Sequence, residues 1–235
     1  MRTRGADLAG LAALLADPTR AEICLVLLDG RAWTAGEVAR HAGVAASTAT
    51  EHLNRLLAGG LLAERRQGRH RYVQLADARV AELLEAMTGH LEPPRQPVSS
   101  LRVATATAAL ARGRTCYDHL AGRLGVAITD AMIVRELLDP ESGFALTDSG
   151  LAWLTGPLGV DEAALRKGRR PLVKPCLDWT ERRTHLGGAA GAQLCRRLGD
   201  LEWVRRSGTG RAVRVTARGA AGLTDLLGID PAVLD

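Results

Sequence analysis

GVAASTATEHLNRLLAGGLLAERRQGRHRYVQL, residues 43–75, changes its local code part-way through. The first half, AASTATEHLNRLLAGG, reads as a helix that ends in two glycines. LLAERR, the tight polar QGRH and RYVQL then read as a β-hairpin with a basic tip. Arg65, Arg66, Gln67, Arg69, His70 and Arg71 fall within seven positions of that tip. Short polar side chains (Ser47, Thr48, Thr50) open the helix, and His52 and Arg55 follow them.

The flanks supply further helices. LAGLAALLA, from about Asp7, is apolar at helical spacing. Asp17-Pro18 is an N-cap followed by a proline at the first helical position. The next helix places Ile23, Val26 and Leu27 on one face and stops at Gly30. Thr34 and Glu37 form a capping box for the short helix AGEVARHA, which stops at Gly43. Asp77 caps ARVAELLEAM. EPPRQPVSS, residues 92–100, holds three prolines and two serines and reads as a linker.

Helix, short helix, turn, helix and two-stranded wing make a winged helix-turn-helix. LADPTRAEICLVLL and residues 43–75 resemble the second helix, recognition helix and wing of the ArsR-type regulators, down to the pair His52-Leu53. The resemblance covers about residues 8–88 and implies DNA binding. It assigns base and phosphate contacts to Ser47, Thr48, Thr50, His52, Arg55, Arg65, Arg66, Arg69, His70 and Arg71. It also implies a homodimer, paired near Leu8–Leu15 and Ala78–Met87, on an inverted-repeat operator in double-stranded DNA. Ala46 and Glu51 depart from the family pattern and leave the operator sequence open. The family's two metal motifs are broken. The short helix has no cysteine, and Asp77 and His90 are accompanied by Arg79 and Pro93 where further ligands belong.

Totals set the bounds. The 235 residues are 46% hydrophobic but only 3% aromatic, a globular composition expected to be mainly α with small β-wings. The net charge is +5, and all but two of the 31 basic residues (Lys167 and Lys174) are Arg. Residues 1–92 and 93–160 are each charge-balanced, so the excess sits in 161–235. Any DNA-binding face in the first segment must therefore come from local clustering. The N-terminus lacks an apolar leader, and no run approaches the ~18 apolar residues of a membrane span. The four cysteines read as reduced thiols, so a cytoplasmic protein with no membrane partner is expected.

The second half repeats itself. Residues 144–161 align with 213–230 at an offset of 69, and HLAGRLG at 119 matches HLGGAAG at 185 at an offset of 66. RTCYDHLAG and PCLDWTERRTHLGG each carry Cys, Asp and His: Cys116, Asp118, His119, and Cys176, Asp178, His185. The expected domains are 1–91 for DNA binding and dimerisation, 92–100 as linker, and two winged-helix-like modules at 101–161 and 162–235. RSGTGRAV, with Arg205, Arg206, Arg211 and Arg214 around it, reads as a second wing rather than a phosphate loop.

The spacing of Cys116 and His119 suits one face of a helix, with Asp118 pointing elsewhere, and Cys176 is expected near a helix start. Four readings of the six residues stay open: structural, zinc or another thiophilic ion, a small organic ligand walled by Trp153, Trp179 or Trp203, and thiol redox sensing. The aspartates pair with Arg114, Arg182 or Arg183 in the structural reading, and Cys195 is expected in the core. A catalytic Cys-His-Asp set is disfavoured because all three sit in one turn.

The sequence thus predicts a non-enzymatic, effector-responsive transcriptional regulator, a repressor, that needs no cofactor to bind DNA. The alternative is an architectural or scaffold protein that uses several winged helices and senses nothing.

Overall fold

The computed structural model describes residues 3–68, 70–91, 101–167, 170–207 and 211–234. The linker expected at 92–100 and Arg69 lie outside the described residues. The chain divides into two compact units, Met1–Leu84 and Glu85–Asp235.

In the first unit, α1 (Arg4–Leu15) buries no residue, and its Leu8 is exposed. Asp17 accepts from the Arg20 backbone N–H and Pro18 opens α2 (Pro18–Val26), as expected. The Arg20 guanidinium donates to the Leu14 and Ala13 carbonyls at 2.6 and 2.9 Å, closing the end of α1. A turn of 3-10 helix at Leu27–Asp29 tightens the end of α2. Cys24 and Leu28 therefore reach the core with Ile23 and Leu27, while Val26 is only half-buried. Burial pushes the Cys24 thiol up to about 12. The capping box of Thr34 and Glu37 is formed at the start of α3 (Ala35–Ala42), and Gly43 ends that helix at φ 65°.

The recognition helix is α4 (Ala46–Ala58), anchored by buried Ala49, Leu53 and Leu56. β2 (Leu62–Gln67) and β3 (His70–Leu75) pair antiparallel from Leu62↔Leu75 to Gln67↔His70. β1 (Trp33–Thr34), which the sequence did not announce, joins the far side of β3, giving the order β1-β3-β2. Two residues carry too little pattern to signal a strand. Asp77 caps α5 (Ala78–Gly89), which runs across the boundary between the units.

In the second unit, α6 (Leu101–Arg112) precedes two similar halves. The first half runs β4 (Arg114–Cys116), β5 (His119–Ala121), α7 (Gly122–Val134), β6 (Leu138–Asp139), β7 (Ala145–Leu146) and α8 (Asp148–Thr155). After α9 (Glu162–Arg166), the second runs β8 (Lys174–Leu177), β9 (Thr184–Gly187), α10 (Gly188–Asp200), β10 (Val204–Arg206), β11 (Val213–Val215) and α11 (Ala217–Leu227). The order in each half is hairpin, helix, hairpin, helix.

The sequence offsets recur in the backbone. Gly122 and Gly188 open the two long helices at φ 72° and 80°. Glu136 and Glu202 turn the chain at φ 56° and 58°. Thr147 and Thr216 cap α8 and α11, and each hydroxyl also donates to the Glu136 or Glu202 carbonyl at 2.8 Å. The halves share one core, from Leu120, Leu124 and Ile128 through Leu186, Leu194 and Leu198 to Leu223 and Leu227. They are also exchanged: α7 packs on β9, and α10 packs on β5.

Candidate functional site

Ser47 and Thr48 are exposed at the start of α4, and Thr50 is half-buried with its hydroxyl donating to the Ala46 carbonyl. Arg55 is exposed and donates to Glu51 at 2.6 Å, so the acidic residue on this face is neutralised within its own helix. His52 is turned inward, with Nδ1 3.7 Å from Asp17, which places it against the α2 cap rather than out beyond the helix. On the wing, Arg65 and Arg66 are exposed. Arg66 and Arg71 both grip Glu64, and Arg71 also donates to Asn54 of the recognition helix at 2.9 Å. Arg71 thereby ties the wing to α4. His70 occupies the β3 end of the pairing.

The residues of the repeated motif converge in the second unit. Cys116 and His119 are cross-strand neighbours in β4–β5, and Cys176 and His185 are cross-strand neighbours in β8–β9. The expectation of one helical face at 116–119 was therefore wrong, as was a helix start at Cys176. The turn Tyr117-Asp118, with Tyr117 at φ 59°, reverses the chain within two residues. The unequal Cys–His spacings follow from unequal loops on equal registers. Directly opposed residues hold their Cβ atoms about 5 Å apart on one face, so each hairpin offers one sulfur and one imidazole together. The four ligand-type atoms all lie within 4.8 Å of one another. Cys116, His119 and His185 are buried and Cys176 is half-buried.

The helices make room for this cluster. A Cβ on Gly125 of α7 would lie 2.4 Å from the Leu120 carbonyl oxygen and 3.6 Å from the His185 Cβ. One on Gly191 of α10 would lie 2.2 Å from the Leu186 carbonyl oxygen and 3.3 Å from the His119 Cβ. Each long helix thus seats the other half's histidine. The rings of His119 and His185 stack at 5.1 Å.

The aspartates stand behind the histidines. Asp118 Oδ1 is 3.2 Å from His119 Nδ1, and Asp118 is held by the Arg170 guanidinium. Asp178 Oδ2 is 3.7 Å from His185 Nδ1 and accepts from Arg114 at 3.0 Å and from the Gly122 N–H at 2.6 Å. Its other oxygen accepts from Thr180 and the Glu181 N–H. Each carboxylate therefore faces its own half's histidine and takes its arginine from the other half. Of the arginines expected as partners, Arg114 is used, while Arg183 pairs with Asp130 and Arg182 donates to the Leu91 carbonyl. Arg170 was missed: it stands eight residues before Asp178, and nothing local signals its reach back to Asp118.

Electrostatics follow from this packing. The hydrogen bond from Cys116 favours the Cys176 thiolate; against burial, it and the two imidazoles hold that sulfur well below the usual thiol range. The same hydrogen bond, and burial, push Cys116 up. Burial opposes a charge on His119, but Asp118 and the Cys176 sulfur outweigh it and lift the ring to about 9. Burial likewise opposes the Asp178 charge, and Arg114 with the Thr180 and backbone donors holds it well below the usual carboxylate range.

Residues 15–65 match the family profile of a Helix-turn-helix domain. The uncharacterized HTH-type transcriptional regulator YdfF of Bacillus subtilis (strain 168) is 38% identical over 214 residues, 91% of this chain and 93% of its own. The chain belongs to the ArsR-type winged helix-turn-helix transcriptional regulators. The match to YdfF runs through both units of this DNA-binding regulator. The HTH-type transcriptional regulator CmtR of Mycobacterium tuberculosis (strain H37Rv) is 40% identical over 81 residues, 34% of this chain and 68% of its own. The NMR structure of the cadmium metal-sensor CMTR from Mycobacterium tuberculosis is 33% identical, covers 40% of this chain and 99% of that one, and has a TM-score of 0.30.

Elsewhere in the regulator, Asp77 is used as a helix cap and His90 is exposed. Trp153 and Trp203 pack against the shared core, and Trp179 lies under the Arg114 guanidinium at 4.6 Å. Cys195 is half-buried against the core, and burial raises it to about 12. A cavity of about 380 Å³ lies among Arg112, Leu124, Val213, Arg214 and Leu234, away from the Cys/His cluster. No helix among the described residues is long and apolar enough to cross a membrane.

Proposed function

We propose that this regulator is an effector-responsive repressor that binds its operator as a homodimer and reads its effector in the second unit. The observation that carries the reading is the convergence of Cys116, His119, Cys176 and His185 in a unit that lacks the recognition helix. His119 Nε2 and both ring nitrogens of His185 are buried with no hydrogen-bond partner among the described residues. Buried, unsatisfied imidazoles cost about 1–3 kcal/mol each, and a bound effector offsets that cost.

The DNA-reading half rests on the exposed Ser47 and Thr48 at the start of α4, half-buried Thr50, and on Arg55, Arg65, Arg66 and Arg71, and the sequence adds Arg69 and His70 to the same basic run. The dimer reading is supported by α1, which buries nothing, and by exposed Leu83 and Met87 on α5. Coupling has a physical route inside the second unit. The Thr115 N–H, beside Cys116, donates to the Arg211 carbonyl at 2.9 Å. The Arg211 guanidinium grips Glu85 of α5, the helix that continues back into the first unit. An effector that shifts β4 thereby biases α5, and a hundredfold change in operator affinity requires only about 2.7 kcal/mol of such coupling.

The test is operator binding by the full chain, selected from random duplexes and followed against salt. A palindromic preference released by an effector supports the reading. Binding with a salt slope but no sequence preference overturns it in favour of an architectural protein.

A further inference from the structure

We propose that Cys116, His119, Cys176 and His185 form a closed tetrahedral site for one thiophilic divalent cation of the zinc class per chain, assembled jointly by the two halves of the second unit. As a bound ion the proposal rests on geometry alone; as the regulator's effector it rests on the function proposed above.

Two sulfurs each 2.3 Å from one zinc at the tetrahedral angle are about 3.8 Å apart. The Cys116 and Cys176 sulfurs are 3.8 Å apart. A disulfide needs about 2.05 Å, so the pair is held at the separation of co-ligands and not of a bond. Donor atoms within 4.8 Å of one another leave space for an ion and exclude an organic molecule from the cluster.

Two thiolates neutralise a divalent cation, so the filled site adds no net charge to a buried region. The flanking pairs Arg114–Asp178 and Arg170–Asp118 are each neutral as well. A metal-bound histidine commonly gives its second ring nitrogen to a carboxylate, which fixes the tautomer and turns the lone pair inward. Asp118 stands in that relation to His119 Nδ1, leaving the partnerless Nε2 for the ion. Asp178 stands behind His185 at longer range. Half-buried Cys176 provides the entry path. Four protein ligands fill the tetrahedron, so the site has no open position for a substrate or activated water. It holds the halves together and does not catalyse.

The spacing also explains why no local motif announces the site. Neither Cys-x2-His nor Cys-x8-His can hold the ion alone; each hairpin supplies half. The loss of either half therefore abolishes binding rather than weakening it by half.

The experiment titrates chelator-treated, reduced full-length protein with cobalt(II), followed by zinc. The expected result is one equivalent of cobalt per chain, with intense tetrahedral d–d bands and a thiolate-to-cobalt charge-transfer band, all lost on adding one equivalent of zinc. Cys116→Ser and Cys176→Ser each lower affinity by more than about a hundredfold, while Cys195→Ser leaves it unchanged. Because the serine variants can misfold, His119→Cys and His185→Cys serve beside them: both keep four ligands and retain stoichiometric cobalt with a stronger charge-transfer band. Absence of tetrahedral bands in folded protein, or their survival in Cys116→Ser, overturns the site. Operator affinity is read on the same samples. Cobalt bound without any change in operator affinity removes the ion's regulatory role and leaves the site standing. Operator bound by protein that takes no cobalt removes the site and leaves the DNA-binding reading standing.

Discussion

The two halves of the second unit supply the same ligands from hairpins that are braced differently. In the second half Asp178 is fully buried, and its two oxygens collect Arg114, Gly122, Thr180 and Glu181. In the first half Asp118 keeps a third of its side chain in solvent and is held by Arg170. The apolar filling has diverged in a compensating way. Trp153 stands where the second half has Gly222, and Trp203 stands where the first half has Leu137. A Cβ on Gly222 would lie 2.2 Å from the Trp203 ring. Each half thus carries one tryptophan at one of two alternative places. The chemistry-bearing positions stayed fixed while the packing around them was redistributed, as expected when total core volume is conserved.

Removing each carboxylate in turn separates the two braces most strongly. Asp178→Ala strands the fully buried Arg114 guanidinium and should cost about 3–5 kcal/mol of unfolding free energy. Asp118→Ala leaves a partly solvated Arg170 and should cost no more than about 1 kcal/mol. Chemical denaturation of the metal-free variants checks this, and equal losses would make the two braces equivalent. The sign with pH follows from the lowered Asp178 value. Its contribution is complete above the ordinary carboxylate value of 3.8 and is lost as pH falls below it. Acid unfolding of Asp178→Ala should therefore be shallower than that of the wild type.

The next test asks where the halves remain alike. A Cβ on Gly150 would sit 2.0 Å from the Leu137 carbonyl oxygen, and one on Gly219 would sit 2.0 Å from the Trp203 carbonyl oxygen. Gly150→Ala and Gly219→Ala should each destabilise by about 1–3 kcal/mol through forced backbone shifts, and by similar amounts. A clear difference would show that the shared contact is rigid in one half only. Smaller again, Thr147→Ala and Thr216→Ala each remove a helix cap and should cost about 1 kcal/mol.

How much of this was legible depends on how local each signal is. Asp17-Pro18, the Thr34–Glu37 box and the Gly43 stop are local, and the structure realises each one. The repeat was legible because Thr147 and Thr216, or Gly150 and Gly219, serve identical turns. The Cys/Asp/His triplets are visible as a repeated set, but their spacing does not fix their geometry. Cys116 and His119 are three apart, which fits a helix face as well as a two-residue reversal, and only the pairing of β4 with β5 decides between them. The exchange of arginines between halves, and the inward turn of His52 toward Asp17, are tertiary facts with no sequence period.

The smallest expected effect compares two basic hairpins. The wing at β2–β3 exposes Arg65, and Arg66 paired with Glu64, beside a helix with short polar side chains at its start. The hairpin at β10–β11 carries Arg205, Arg206, Arg211 and Arg214, but Arg205 is paired with Glu202 and Arg211 with Glu85. If only the first wing meets DNA, Arg65→Ala should weaken binding about uniformly across sequences and reduce the salt slope by about 1. Arg205→Ala should leave both quantities unchanged. Fluorescence anisotropy on one operator and one unrelated duplex, over a range of salt, separates the two. A reduced slope for Arg205→Ala would mean that both units lie on the DNA, and that the charge excess in residues 161–235 serves phosphate contact.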